Sequence, residues 1–140
     1  MAGSSTTVTF GKIDTPYAGT HGLVKVEIDW VADDADGSVP DGVFDATDTI
    51  DILGRYCILG ITNPGTTAPT DNYDITVEDE YGCDIFGGQL LNRDSALSEQ
   101  ALPNVGGAYG GRPCAGILTF KLSGNSVNDA TGKCVLYFEI

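Results

Sequence analysis

The residues best suited to chemistry in this sequence are the aspartates of residues 33–51, called here the acidic segment. Calcium ions take six to eight oxygen ligands, and aspartate-rich loops supply them. The stretch from Asp34 to Ser38 resembles part of a calcium loop, but Val39 stands where the EF-hand pattern requires glycine. A solvated segment whose aspartates cap turns is therefore favoured, with a calcium site as the open alternative. The segment has no lysine or arginine and contains Asp33, Asp34, Asp36, Asp41, Asp45, Asp48 and Asp51.

Catalytic chemistry finds little support in the sequence. His21 is the only histidine, and it lies among glycines and small residues that predict an exposed turn rather than a triad with an orienting acid. Glycoside hydrolysis needs two facing carboxylates, and among 20 acidic residues some pair meets that spacing by chance. The only tryptophan, Trp30, lies on the apolar face of a predicted strand and is not placed to stack on a sugar. We predict no catalytic residues and no enzyme activity.

The sequence gives equally little support for a metal or cofactor site. The glycine-rich stretch 106–112 lacks the Gly-Lys-Ser/Thr ending of a phosphate-binding loop. The four cysteines form no Cys-x-x-Cys pair, which is the spacing typical of zinc ligands. Burial as small apolar residues is favoured for them, and the sequence leaves open whether any pair forms a disulfide. We predict no metal and no cofactor; the cysteines are Cys57, Cys83, Cys114 and Cys134.

The elements that would position any site are short β-strands. Apolar and polar residues alternate over 24–30, 73–77, 118–122 and 134–140, as in an antiparallel sheet covered on one face, and Val8 and Phe10 indicate a further strand. The 19 glycines and several turn signals separate these runs. About seven or eight strands at this spacing predict one domain over residues 1–140, an antiparallel β-sandwich or jelly roll with long loops. The one short helix expected lies at 95–102.

The run 55–62 is apolar on both predicted faces, with Cys57, Leu59 and Ile61 on one and Tyr56 and Ile58 on the other. Such a strand is central in its sheet or is covered by a partner subunit. The segment 92–113 is long and rich in glycine, serine and asparagine, and we expect neighbouring molecules to order it. Both features favour a homo-oligomer, and a trimer in particular.

Charge and the chain's N-terminal residues limit the partners. The net charge of −13 argues against nucleic acid and against an anionic membrane surface, because both carry negative charge. The N-terminal residues show no basic start followed by an apolar run, so no signal peptide is expected. No apolar stretch is long enough to span a membrane. We expect synthesis in a cytoplasm.

Three stretches of the last 80 residues carry a resemblance: ITNPGTTAPTDNYDIT at 61–76, GGQLLNRD at 87–94 and VLY at 135–137. From residue 61 to 140 the chain resembles small virion structural proteins of tailed bacteriophages. The resemblance implies a structural part of the virion made in the host cytoplasm, and it carries over no catalytic residues.

Capsid decoration is the role favoured within that class. A decoration, or cement, protein binds the outside of the shell, so the expected partners are the major capsid protein or other virion proteins. A tail, neck or fibre-adaptor protein is the alternative in the same class. A calcium- or carbohydrate-binding β-sandwich module is the alternative in another class.

Overall fold

The computed structural model describes residues 4–14 and 21–139. Within them the chain forms eleven strands and a single helical turn, in the order β1 (Ser5–Asp14), β2 (His21–Val31), β3 (Gly42–Val43), α1 (Ala46–Thr49), β4 (Tyr56–Pro64), β5 (Asp74–Glu78), β6 (Glu99–Ala101), β7 (Asn104–Val105), β8 (Ala108–Tyr109), β9 (Arg112–Pro113), β10 (Thr119–Ser123) and β11 (Thr131–Glu139). The predicted all-β class is confirmed.

Two antiparallel sheets make up the sandwich. The large sheet has the order β1-β2-β11-β4-β6, and β9 also pairs with β4. The small sheet has the order β3-β10-β5. Strands β7 and β8 form a separate hairpin. Because successive strands repeatedly change sheet, the connections run across both ends of the sandwich.

The two sheets share one core, built from the apolar rows that the period-two pattern predicts. Aromatic contacts join the two layers. The ring centroids of Trp30 and Tyr73 are 5.9 Å apart, and those of Phe10 and Phe44 are 5.6 Å apart in an edge-on arrangement. Fully burying one large apolar side chain stabilises a fold by roughly 1.5–3 kcal/mol, so the buried side chains of this common core are the main source of stability. The inward residues of β2, β5, β10 and β11 are Val24, Val26, Ile28, Trp30, Ile75, Val77, Phe120, Leu122, Cys134, Leu136 and Phe138.

Gly132 makes room for the tryptophan at the centre of the large sheet. It lies directly opposite Trp30, and a Cβ atom at this position would overlap the indole ring. We expect Gly132→Ala to lower the free energy of unfolding by about 1–3 kcal/mol, measured by chemical denaturation. Gly11→Ala is the control, because its Cβ would meet only the Lys25 carbonyl oxygen at 3.8 Å. Equal stability of the two variants would contradict this view of Gly132.

The acidic segment is not one loop, and this corrects the sequence-based expectation. Residues 33–38 form a turn at one end of the sandwich, where the Asn125 amide donates to the Gly37 carbonyl at 2.7 Å. Strand β3 then lies at the edge of the small sheet beside β10, and at the other end the Phe44 N–H donates to the Leu118 carbonyl at 2.9 Å before α1 begins. Pairing of β3 with β10 therefore divides the aspartates between the two ends.

The predicted helix at 95–102 is also wrong. Asp94 does accept N–H bonds from Ala96 and Leu97, as a helix cap would, at 2.7 and 2.8 Å. Residues 99–101 instead form β6 and pair with β4, so sheet pairing overrides the local cap. Since β9 pairs with β4 as well, parts of the segment 92–113 are held by pairing within the chain.

Candidate interaction surface

A bulge in β4 determines which side chains face outward on the large sheet. Tyr137 of β11 lies opposite Leu59, and Phe138 lies opposite Cys57, so Ile58 is the extra residue. An extra residue shifts the alternation by one, and Leu59 then points to the opposite face from Cys57. The predicted grouping of Cys57, Leu59 and Ile61 on one face is therefore wrong. Cys57 is buried in the core, whereas Leu59 and Ile61 are only half-buried.

The outward residues of β4 and β11 form an apolar strip. Leu59 lies opposite Tyr137, and Ile61 lies opposite Val135. All four are half-buried, and Leu102, which follows β6, is 48% exposed beside them. We call these five residues the outer strip. Part of its apolar surface therefore meets solvent in the isolated chain.

Two shallow grooves run along the strip beside the edge strand β6. One, of about 340 Å³, is lined by Leu59, Gln100, Ala101 and Leu102. The other, of about 220 Å³, is lined by Ile61, Ser98, Glu99 and Gln100. Gln100 borders both grooves, so they are neighbours along β6, and we call the two together the channel. Its lining combines the apolar Leu59, Ile61 and Leu102 with polar side chains of residues 98–100. A channel this open suits an extended segment or a protein surface better than an enclosed small molecule.

Lysines and carboxylates of β2 and β11 border the outer strip. Lys25 pairs with Glu27 at 2.7 Å, and Lys133 reaches Asp29 at 3.4 Å. The hydrogen bond from Lys25 holds the pKa of Glu27 below its ordinary value, and the same bond raises the pKa of Lys25. These pairs are exposed and add little stability. Their charges cancel, so this face is close to neutral in a chain that carries a net charge of −13.

The aspartates proposed for calcium serve as turn acceptors. Asp33 accepts the Ala35 N–H at 2.8 Å, and Asp36 accepts the Ser38 N–H at 2.9 Å. The bonds from Ser38 lower the pKa of Asp36. Asp45 caps α1 in the same way through the Thr47 N–H at 2.7 Å. Within residues 4–14 and 21–139, no group of three or more His, Cys, Asp or Glu side chains is arranged to hold a metal ion.

The cysteines, all within the described residues, are free thiols, and three of them are core residues. Cys57, Cys114 and Cys134 are buried, and Cys83 is exposed. Burial raises the pKa of Cys134 to about 12 and also raises those of Cys57 and Cys114. A thiol held protonated in an apolar core is a poor nucleophile, so these groups act as packing residues.

His21 and the glycine-rich stretch both lie in regular elements of the fold. The main chain of His21 begins β2 and pairs with Asp14, so the predicted turn does not extend to this residue. Gly106 and Gly107, both with positive φ, form the tip of the β7–β8 hairpin. A tight hairpin needs glycine at such positions, which accounts for the pattern that resembled a phosphate loop.

One enclosed cleft lies away from the outer strip, between the turn after β5 and the segment that follows β9. It has a volume of about 210 Å³, and its walls include Tyr81, Glu80 and the ion pair of Arg112 with Asp79. The guanidinium and carboxylate of this pair are 3.4 Å apart. The cleft lining contains no serine, cysteine or histidine that could act as a nucleophile or imidazole base.

No described helix is long and apolar enough to cross a membrane. Comparisons with models of protein families, with curated proteins and with solved structures find no match to this chain.

Proposed function

We propose that this chain is a structural protein of a tailed-phage virion, and specifically a capsid decoration (cement) protein that binds the outer shell and stabilises it. The resemblance of residues 61–140 to small virion proteins supports the class. The role is non-enzymatic: the protein acts by occupying a surface and linking its neighbours. Its partner is the major capsid protein, and its place is the virion.

The outer strip is the observation that carries this proposal. Apolar side chains on an uncovered sheet face are stabilised when a second surface removes them from water, at roughly 25 cal/mol per Å² of buried apolar area. The bordering ion pairs leave this face near neutral, so it meets a partner without the repulsion expected of the acidic surface elsewhere. The open channel along Gln100 accepts an extended segment of the shell.

The charge of the chain fits an external position. A net charge of −13 keeps the protein away from packaged DNA and favours its solubility before assembly. A calcium-binding module fits less well, because Asp33, Asp36 and Asp45 already accept backbone hydrogen bonds. A tail, neck or fibre-adaptor protein remains the alternative within the virion.

Copy number in purified particles tests the proposal. A decoration protein follows shell symmetry, so quantitative mass spectrometry should find on the order of hundreds of copies per particle. About a dozen copies or fewer would transfer the protein to the tail or neck. Complete absence from particles, with the major capsid protein as the internal standard, would refute a virion role.

A further inference from the structure

Strand β1 leaves one edge of the large sheet open. It runs for ten residues, and within the described part of the chain it pairs only with β2. An edge strand of this length presents a row of unpaired N–H and C=O groups. Natural proteins usually blunt such an edge with lysine, proline or a bulge. From residue 5 to residue 11 β1 has no charged residue and no proline, and its register is regular as far as Ile13.

The apolar side chains of β1 are incompletely covered at this same edge. Val8 and Phe10 pack against the core, but both are only half-buried. The small sheet lies over their inner side, where a Cβ atom on Gly42 would meet Thr6 and Val8. Their remaining exposure is therefore at the flank, where a further strand would lie. The unpaired backbone groups of β1 and its partly exposed apolar side chains thus lie along the same edge of the large sheet.

We infer that the β1 edge pairs with the β1 edge of a second copy of this chain, in antiparallel orientation about a two-fold axis. The uncharged run 5–11 permits this occupant: although each copy carries a net charge of −13, two copies can approach along this run without like charges side by side. Pairing about an axis through Val8 aligns the uncharged runs 5–11 of the two copies in full, with Ser5 opposite Gly11. It also places Thr7 opposite Thr9 of the second copy, a favourable cross-strand pair.

The result is one continuous sheet across two copies and a closed dimer, in place of the trimer favoured from the sequence. This inference does not rest on the virion proposal. Each copy keeps its outer strip free, because the strip lies on the face of the sheet near β4 and β11 and not on the β1 edge. A dimer therefore presents two outer strips to one support, which raises its avidity.

Sedimentation and light scattering of the whole chain test the inference. At about 100 µM, where a complex with a micromolar Kd is mostly formed, the wild type should have the mass of a dimer. The double variant Thr7→Lys with Thr9→Lys places lysines opposite lysines, and its dimer Kd should rise roughly tenfold or more. Both side chains are exposed, so the fold should persist.

Thr119→Lys with Ser123→Lys is the matched control. It makes the same change in net charge on β10, the central strand of the small sheet, where both edges are paired. This control should dimerise at least as well as the wild type, since it reduces the overall repulsion. A second measurement uses the wild type alone. Hydrogen exchange at two protein concentrations should show that the protection of the β1 amides rises with concentration.

Three outcomes would overturn the inference. These are a monomer at about 100 µM, a trimer, or a dimer whose Kd the β1 lysines leave unchanged relative to the β10 control. A monomer whose binding to undecorated shells is weakened by the β1 lysines alone would assign the edge to a strand of the shell, and would equally exclude self-pairing.

Discussion

The free energy of unfolding should fall steeply as the pH rises from 9 towards 12, because the core contains thiols that cannot ionise in place. Burial raises the pKa of Cys134 from 9.0 to about 12, and that of Cys57 is raised as well. Below pH 9 both states keep these protons, and the full stability is present. Above it the unfolded chain releases protons that the folded chain retains, so alkali favours unfolding.

The expected size follows from proton linkage. Each such group lowers stability by about 1.4 kcal/mol per pH unit between its unfolded and folded pKa. For Cys57 and Cys134 together the loss over this window is on the order of 8 kcal/mol, comparable with the whole stability of a small domain. Tyr73 adds to the loss near its upper end, since burial raises its pKa from 10.0 to about 12.

Urea unfolding at intervals from pH 8 to pH 11, under reducing conditions, measures the slope. Cys134→Ala removes one titrating thiol, so its stability should depend less steeply on pH than that of the wild type, even though it starts lower. Cys83→Ser is the matched control, because Cys83 is exposed and its replacement should leave the profile unchanged. Parallel curves for the wild type and Cys134→Ala would contradict the linkage.

The strands themselves could be predicted because each long strand packs one face on a core. Alternation with a period of two therefore records burial directly, and β2, β5, β10 and β11 lie where that alternation placed them. The inward rows at Val24–Trp30 and Cys134–Phe138 follow the pattern without interruption. Residues of this kind specify both the element and its buried face.

The bulge in β4 could not be predicted from alternation alone. Cys57, Leu59 and Ile61 follow the period perfectly, yet after Cys57 it is Gly60, and not Leu59 or Ile61, that faces the core. The reason is tertiary: a Cβ atom at Gly60 would lie 2.8 Å from the ring of Phe86, so only glycine allows that ring to approach. A glycine inside a strand marks a bulge or a close approach, and this was the available signal.

The wall of the channel was missed for a related reason. Asp94 gives the local signal of a helix start, whereas β6 depends on pairing with residues 60–62, far away in the sequence. Local patterns do not encode such pairing partners. The sequence pattern therefore does not show that Ser98, Gln100 and Leu102 share a surface; they do so because β6 pairs with β4.

Ile61→Glu is expected to weaken binding to undecorated shells about 100-fold, if the outer strip is the docking surface. Ile61 belongs to the strip and lies opposite Val135, and a carboxylate there would lose its hydration on docking without gaining a hydrogen-bond partner. The side chain points away from the core, so stability should change by no more than about 1 kcal/mol. Binding is measured by co-sedimentation with purified shells that lack the protein.

Thr119→Glu is the control for added charge, since it lies on the outer face of the small sheet and is half-buried like Ile61. It should bind as the wild type does. A salt series separates the two modes of docking: an apolar strip holds its affinity as salt rises, whereas contacts through exposed acidic residues weaken because salt screens them. Wild-type affinity that falls steeply with salt, together with normal binding by Ile61→Glu, would place docking on the acidic surface and leave the outer strip without this role.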